Sequence, residues 1–228
     1  MPFDPEKHHR HSIRLDGYDY SLPGAYFITI CTQDHTCLFG EVVDGVMRLN
    51  EVGKIVKDEW LRTPYIRPSV ELDAFVIMPN HLHGIVALHS DGGGTSPCRG
   101  VSQCRGVSQC RGVSQYAPTS DGIRSIENQT SQLRSPSQTV GAIVRGFKSA
   151  SARRINERRG TPGMPVWQRN YYEHIIRTDE SLNRIREYIF QNPLRWHLDQ
   201  ENPLHTGSDD LRDTVFSNEA GFRPDHSF

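Results

Sequence analysis

The chain has 228 residues, 26 Lys plus Arg against 27 Asp plus Glu, 36% hydrophobic residues and a mean hydropathy of -0.59, the composition of a globular protein able to bury a core. No apolar run approaches the roughly 20 residues that cross a bilayer, and the N-terminal MPFDPEKHHRHSIRLDG lacks a secretory h-region, so membrane and exported classes are set aside and a cytoplasmic protein is expected. Five cysteines are an odd number, and Cys98, Cys104 and Cys110 recur at one place in a short repeat, so no disulfide framework is expected.

Ala25 to Thr32, a β-branched and aromatic run between Pro23-Gly24 and Gln33-Asp34, predicts a central strand. Leu38 to Val43 and Val46 to Leu49 flank Asp44-Gly45, a dipeptide that supplies the positive φ angles of a tight turn, and predict a two-stranded ribbon. Asn50 can cap a helix whose Val52, Ile55, Val56 and Trp60 fall at helical spacing and which Thr63-Pro64 stops. That helix should pack on the sheet. Glu71 to Met78 and Leu82 to Leu88 predict a second antiparallel pair joined through Pro79-Asn80, where proline lacks the donor of a central strand.

From 91 to 138 the composition falls to Gly, Ser, Gln and Arg, and Cys-Arg-Gly-Val-Ser-Gln occurs three times in tandem at 98–115. One Val per hexapeptide cannot offset backbone entropy, so this segment is expected to be a disordered insertion with no dedicated metal site. Residues 1–90 and 139–200 then make one domain.

Val140, Ile143, Val144 and Phe147 share one face of an amphipathic helix, with Arg145, Lys148, Arg153 and Arg154 mostly elsewhere. Val166 to Arg177 ends in a short apolar strand. Thr178 caps a last helix with the stripe Leu182, Ile185 and Ile189, and Asn192-Pro193 ends it because a residue before proline avoids the α region. The acidic tail at 201–228 is expected to be loose, from about Leu198 onward.

Charge is segregated along the chain. Residues 1–90 carry 8 basic and 12 acidic side chains, 91–138 carry 5 and 3, 139–197 carry 11 and 5, and 198–228 carry 2 and 7. The third segment invites a polyanionic partner, with a merely solvated helix face as the competing reading.

Two constellations carry chemistry. His81 and His83 sit two apart in a strand, so their rings project from the same face about 6.7 Å apart along the chain and can converge on one metal ion. They also fit two polar residues on the wet side of a half-buried strand. Tyr188 and Asn192, four apart on the last helix, share a face, so a phenol and an amide oxygen can meet one site. A tyrosine attacking a phosphodiester needs a Lewis acid, which an ion held by imidazoles and one oxygen ligand supplies. Singly, Tyr188 reads as a core-edge residue and Asn192 as a helix cap.

Taken in order, GAYFITICTQDHTCLFGEV, VIMPNHLHGIV, VWQRNYYEHIIR and YIFQNP resemble the REP-associated tyrosine transposases of the single-tyrosine HUH class over residues 10–90 and 139–200. The resemblance implies an α+β, ferredoxin-like antiparallel sheet with helices packed on one face. It makes His81 and His83 the metal-binding pair, Tyr188 the nucleophile and Asn192 the amide completing the metal site. It also implies Mg2+ or Mn2+, and single-stranded DNA cleavage and strand transfer beside REP-like hairpins through a 5′-phosphotyrosine. Arg145, Lys148, Arg153 and Arg154 are the expected phosphate contacts. A domesticated hairpin-binding protein that no longer transposes is the alternative. Two further readings stay open, a single-stranded nucleic-acid binder stacking bases on Tyr171 or Tyr172, and a water-using nuclease with Asp73 as base, although strand alternation sets Asp73 on the face of Phe75 and Ile77.

Overall fold

The computed structural model describes residues 18–89 and 139–217. β1 (Gly24–Cys31) lies between two antiparallel neighbours, β5 (His81–Leu88) and β6 (Tyr172–Ile176), and β4 (Val70–Ile77) pairs with β5, giving the order β4-β5-β1-β6. With α1 (Glu51–Leu61) between β1 and β4, and α3 (Val140–Arg159) between β5 and β6, the chain traces a βαββαβ unit. This is the expected α+β antiparallel sheet, and both long segments of the sequence contribute strands to it. β2 (Gly40–Val43) and β3 (Val46–Leu49) form a separate ribbon, turned by Asp44 and Gly45 at φ 52° and 72°. A single turn, α2 (Thr63–Ile66), leads into β4.

β1 is buried along nearly its whole length because both of its faces are covered. Tyr26, Ile28 and Ile30, with Leu82, Val86 and Leu88, meet Val56 and Trp60 of α1 and Ile143 and Phe147 of α3. Trp60 is fully buried, and the space it fills exists because residue 84 is glycine: a Cβ there would come within 2.6 Å of the Trp60 ring. The helices begin where side chains can take up free amides. Asn50 accepts from Gly53 N, Thr139 from Ala142 N and Thr178 from Ser181 N, each cap contributing ~1 kcal/mol.

Three expectations are corrected. The crossover helices α1 and α3 share one face, but α4 (Asp179–Gln191) covers the other, where Leu182, Ile185, Tyr188 and Ile189 pack on Ala25, Phe27, Ile85 and Ile176. Helices therefore sit on both faces, because a sheet apolar on two sides must bury both. The tail, expected to be loose beyond Leu198, is structured as far as Ser217. It continues into α5 (Asp210–Ser217), which docks Val215 and Phe216 on the α4 face, while Arg195 Nε donates to the buried Asp209 at 3.0 Å. Its Asp199, Glu201 and Asp209 side chains are used in internal bonds. Finally, strand alternation placed Asp73 with Phe75 and Ile77, but a bulge between Leu72 and Phe75 moves it to the α4 side, where Arg186 Nε donates to it at 3.0 Å. The expected insertion at 91–138 lies outside the described residues.

Candidate active site

His81 and His83 open β5, and the period of two sends both rings to the α4 face while Leu82 enters the core between the sheet and α1 and α3. Both rings are buried, with centroids 4.4 Å apart. Each is held from behind. Asn80 Oδ1 is 2.9 Å from His81 Nδ1, and Thr29 Oγ1, directly across the strand pair, is 2.8 Å from His83 Nδ1. A bond at Nδ1 fixes ring orientation and turns each Nε2 toward the site, the arrangement in which imidazoles ligate metals.

α4 brings Tyr188 to the same place. Its hydroxyl is 3.3 Å from His83 Nε2, and the two rings lie 5.3 Å apart. Asn192 caps the helix in αR geometry, and its Nδ2 donates to Asp199 Oδ2 at 2.9 Å. Asp199 Oδ2 in turn stands 3.6 Å from His81 Nε2, too far for a hydrogen bond and close enough for a shared ion. His81, His83 and Asp199 present ligand atoms within 4.8 Å of one another.

Two buried polar atoms here lack a hydrogen-bond partner among the described residues, His81 Nε2 and Asn192 Oδ1. An unpaired buried acceptor costs roughly 1–3 kcal/mol, and an ion that accepts both lone pairs removes that cost. The donor set of two imidazoles, one carboxylate and one amide oxygen fits a divalent cation. Electrostatics agree with a neutral, cation-ready site. Burial, reinforced by His81, holds His83 well below the usual imidazole range, so its lone pair stays available. Burial and then the Asp199 charge push the Tyr188 phenol well above its ordinary range, so as it stands Tyr188 is a protonated phenol.

The structure thus brings together four of the predicted residues, His81, His83, Tyr188 and Asn192. Asp199, Thr29 and Asn80 were not foreseen. Asp199 carried the signature of a solvated acidic tail, and the pairing of Thr29 with His83 depends on a strand register that sequence does not reveal.

The four basic residues of α3 lie elsewhere. α3 packs on the sheet face opposite α4, so the whole sheet separates Arg145, Lys148, Arg153 and Arg154 from the histidines. Two of them are spent inside the protein. Arg154 Nη1 donates to the buried Glu59 at 2.6 Å, and Lys148 Nζ donates to the carbonyls of Gln168 and Asn170 at 2.8 and 2.7 Å. Arg153 reaches Glu157 at 4.0 Å on the surface, and Arg145 is exposed. Tyr172 packs edge-on against Phe27 and Phe216, and Tyr171 donates to Glu173.

No protein-family model matches the chain. An uncharacterized protein of Haemophilus influenzae is 42% identical over 195 residues, spanning 85% of this chain and 93% of its own length. Among solved structures, a REP-associated tyrosine transposase bound to a REP hairpin is 16% identical over 80% of this chain and 74% of its own, with a TM-score of 0.45. A Deinococcus radiodurans chain is 17% identical over 78% and 96%, with a TM-score of 0.36. These two structural likenesses are too loose to bear on what the site does. Among the described residues no helix is long and apolar enough to cross a membrane.

Proposed function

Since the chain belongs to one family with the Haemophilus influenzae protein, which carries no assigned activity, we propose a function from its own site: metal-dependent cleavage and rejoining of single-stranded DNA by a tyrosine nucleophile. The observation that carries this reading is the Tyr188 hydroxyl, 3.3 Å from His83 Nε2, at the edge of a buried cluster of His81, His83 and Asp199. A buried phenol beside two imidazoles and a carboxylate needs more than packing to explain it.

In this reading His81, His83, Asp199 and Asn192 hold Mg2+ or Mn2+, which when bound supplies the Lewis acid that polarises the scissile phosphate. Tyr188 Oη forms the bond to phosphorus and the bond from phosphorus to the 3′ oxygen breaks. The phenol gives up one proton and the departing 3′ oxygen gains one, so neither water nor a redox partner is consumed. The 5′-phosphotyrosine keeps the energy of the broken linkage, so a free 3′-hydroxyl can reverse the step on another end. Thr29 and Asn80 fix the imidazoles, and Phe27 and Phe216 fix the phenol edge-on. Asp73, paired with Arg186, is occupied, which disfavours it as the base of a water-using nuclease. The hairpin preference and the transposase role follow from the motif resemblance and are part of the proposal.

The test uses a single strand bearing a hairpin, incubated with Mn2+ and resolved on a denaturing gel. Wild-type protein should give a slower covalent band that Tyr188→Phe abolishes while Tyr171→Phe and Tyr172→Phe keep it. A band that persists in Tyr188→Phe overturns the assignment.

A further inference from the structure

A second group of metal-binding side chains stands beside the first and takes no part in it. Cys31 ends β1, His35 lies in the turn Gln33–His35, and Glu201 follows Asp199 by two residues. Their ligand atoms all lie within 4.8 Å of one another, with Glu201 Oε2 3.3 Å from Cys31 Sγ and 3.1 Å from His35 Nδ1. We propose that Cys31, His35 and Glu201 form a second metal site, of the zinc type, with a fourth position open to water.

The donor set points to the ion. Thiolate, imidazole and carboxylate together suit Zn2+, whereas Mg2+ and Mn2+ prefer oxygen. The spacing agrees. Tetrahedral zinc, with sulfur at ~2.3 Å and nitrogen or oxygen at ~2.1 Å, sets its ligand atoms roughly 3.4–3.6 Å apart. The two short separations here need to open by only a few tenths of an ångström.

The surroundings hold the ligands in place. Asp34 and His35 both sit in the left-handed region, at φ 55° and 50°, a backbone few residues other than glycine adopt, and this turn presents His35 to Glu201. Gln168 Nε2 lies 2.8 Å from His35 Nε2; turned over, that amide would accept from Nε2–H and leave Nδ1 free for a metal. Asn80 Nδ2 donates to the carbonyls of both His35 and Glu201. Binding replaces the Cys31 proton, now donated to Glu201, and releases it to solvent. Cys31 faces His81 across the strand pair, so the two sites are neighbours with separate ligands.

Co2+ is the probe, because a thiolate ligand gives it a charge-transfer absorption that imidazole and carboxylate do not. The full chain is used with Cys37, Cys98, Cys104 and Cys110 replaced by Ser, leaving one thiol. Co2+ should raise that absorption to saturation at no more than two equivalents, since the His81 site also takes the ion, and Zn2+ should remove it. His35→Asn, which suits the left-handed backbone, and Glu201→Gln should each weaken binding at least tenfold, while His81→Ala keeps it. The proposal is overturned if the folded protein shows no charge transfer, if both variants bind as the parent does, or if His81→Ala abolishes the signal. Should the serine background fail to fold, Zn2+ affinity of His35→Asn against the unaltered chain decides it, equal affinity overturning the site. The readout is metal binding alone, so it stands whether or not Tyr188 is a nucleophile.

Discussion

Asn192 Nδ2 donates to Asp199 Oδ2 at 2.9 Å, so the residue that caps α4 also holds a carboxylate beside the two imidazoles. The chain after the helix is thereby drawn over the site, where Trp196 lies with its ring 5.9 Å from that of His81. Tyr188, packed edge-on against Phe216 further along the same segment, is 2% exposed. Under the proposed function, a DNA phosphate reaches it only when this covering segment moves.

That cover is tied down by Arg195, whose Nε donates to the buried Asp209 at 3.0 Å. Removing one partner of a fully buried pair costs ~3–5 kcal/mol, and the partial exposure of Arg195 brings the expected loss to roughly 1–3 kcal/mol. Arg195→Ala should speed amide hydrogen exchange across 196–217 and speed covalent adduct formation on Tyr188. A slower adduct would mean that the segment belongs to the productive site.

Thr29→Val keeps the shape of the side chain and removes the hydroxyl 2.8 Å from His83 Nδ1. Losing such an outer-shell partner typically costs a metal site about 10–100-fold in affinity, and that loss should appear in Mn2+ binding by titration calorimetry. Affinity equal to that of the wild type would exclude His83 as a ligand.

The basic helix divides into structural and free charges. Arg154→Ala leaves Glu59, 4% exposed, with Arg62 as its cation among the described residues, and should cost about 1–2 kcal/mol in denaturant unfolding. Arg145→Ala should stay within about 0.5 kcal/mol of wild type. If α3 touches DNA at all, Arg145→Ala reduces the salt slope of binding by about 1. The reverse pattern, with Arg145 needed for folding and Arg154 dispensable, would refute this division.

Lys148 yields a pH signature. Burial pulls its ammonium from 10.5 down to about 8, so between those values the unfolded chain binds more protons and stability rises with pH. Above 9.0 the buried Cys31 thiol, whose proton is retained in the folded protein, acts in the opposite sense. The thermal midpoint should therefore climb between pH 8 and 9 and then level. Lys148→Met should abolish the climb, and a wild-type midpoint that falls across this interval contradicts the assignment.

Much of the fold was legible because its signals are local. The ribbon follows from Asp44-Gly45, and two helices start at Asn50 and Thr178, each a side chain able to accept an amide bond. Tyr188 and Asn192 were legible through helical periodicity, and the histidine pair through strand periodicity. What stayed hidden depends on contacts between distant parts of the chain. Asp199 and Glu201 read as solvated acids until the tail folds back, and the bulge that carries Asp73 to Arg186 leaves no mark in composition. The basic face of α3 misled for the same reason: its charge is visible in sequence, whereas Glu59 and the carbonyls that consume it are not.

Asn80 uses both ends of its side-chain amide, the oxygen toward His81 and both N–H groups on the main chain at His35 and at Glu201. An aspartate of the same size would set a negative oxygen against two carbonyls, and a leucine would strand all three partners in a buried pocket. One amide thus makes the tilt of the His81 imidazole depend on where the turn at His35 and the C-terminal segment at Glu201 lie. Position 80 is where information about the seating of the tail reaches the ring of His81, without any change of charge.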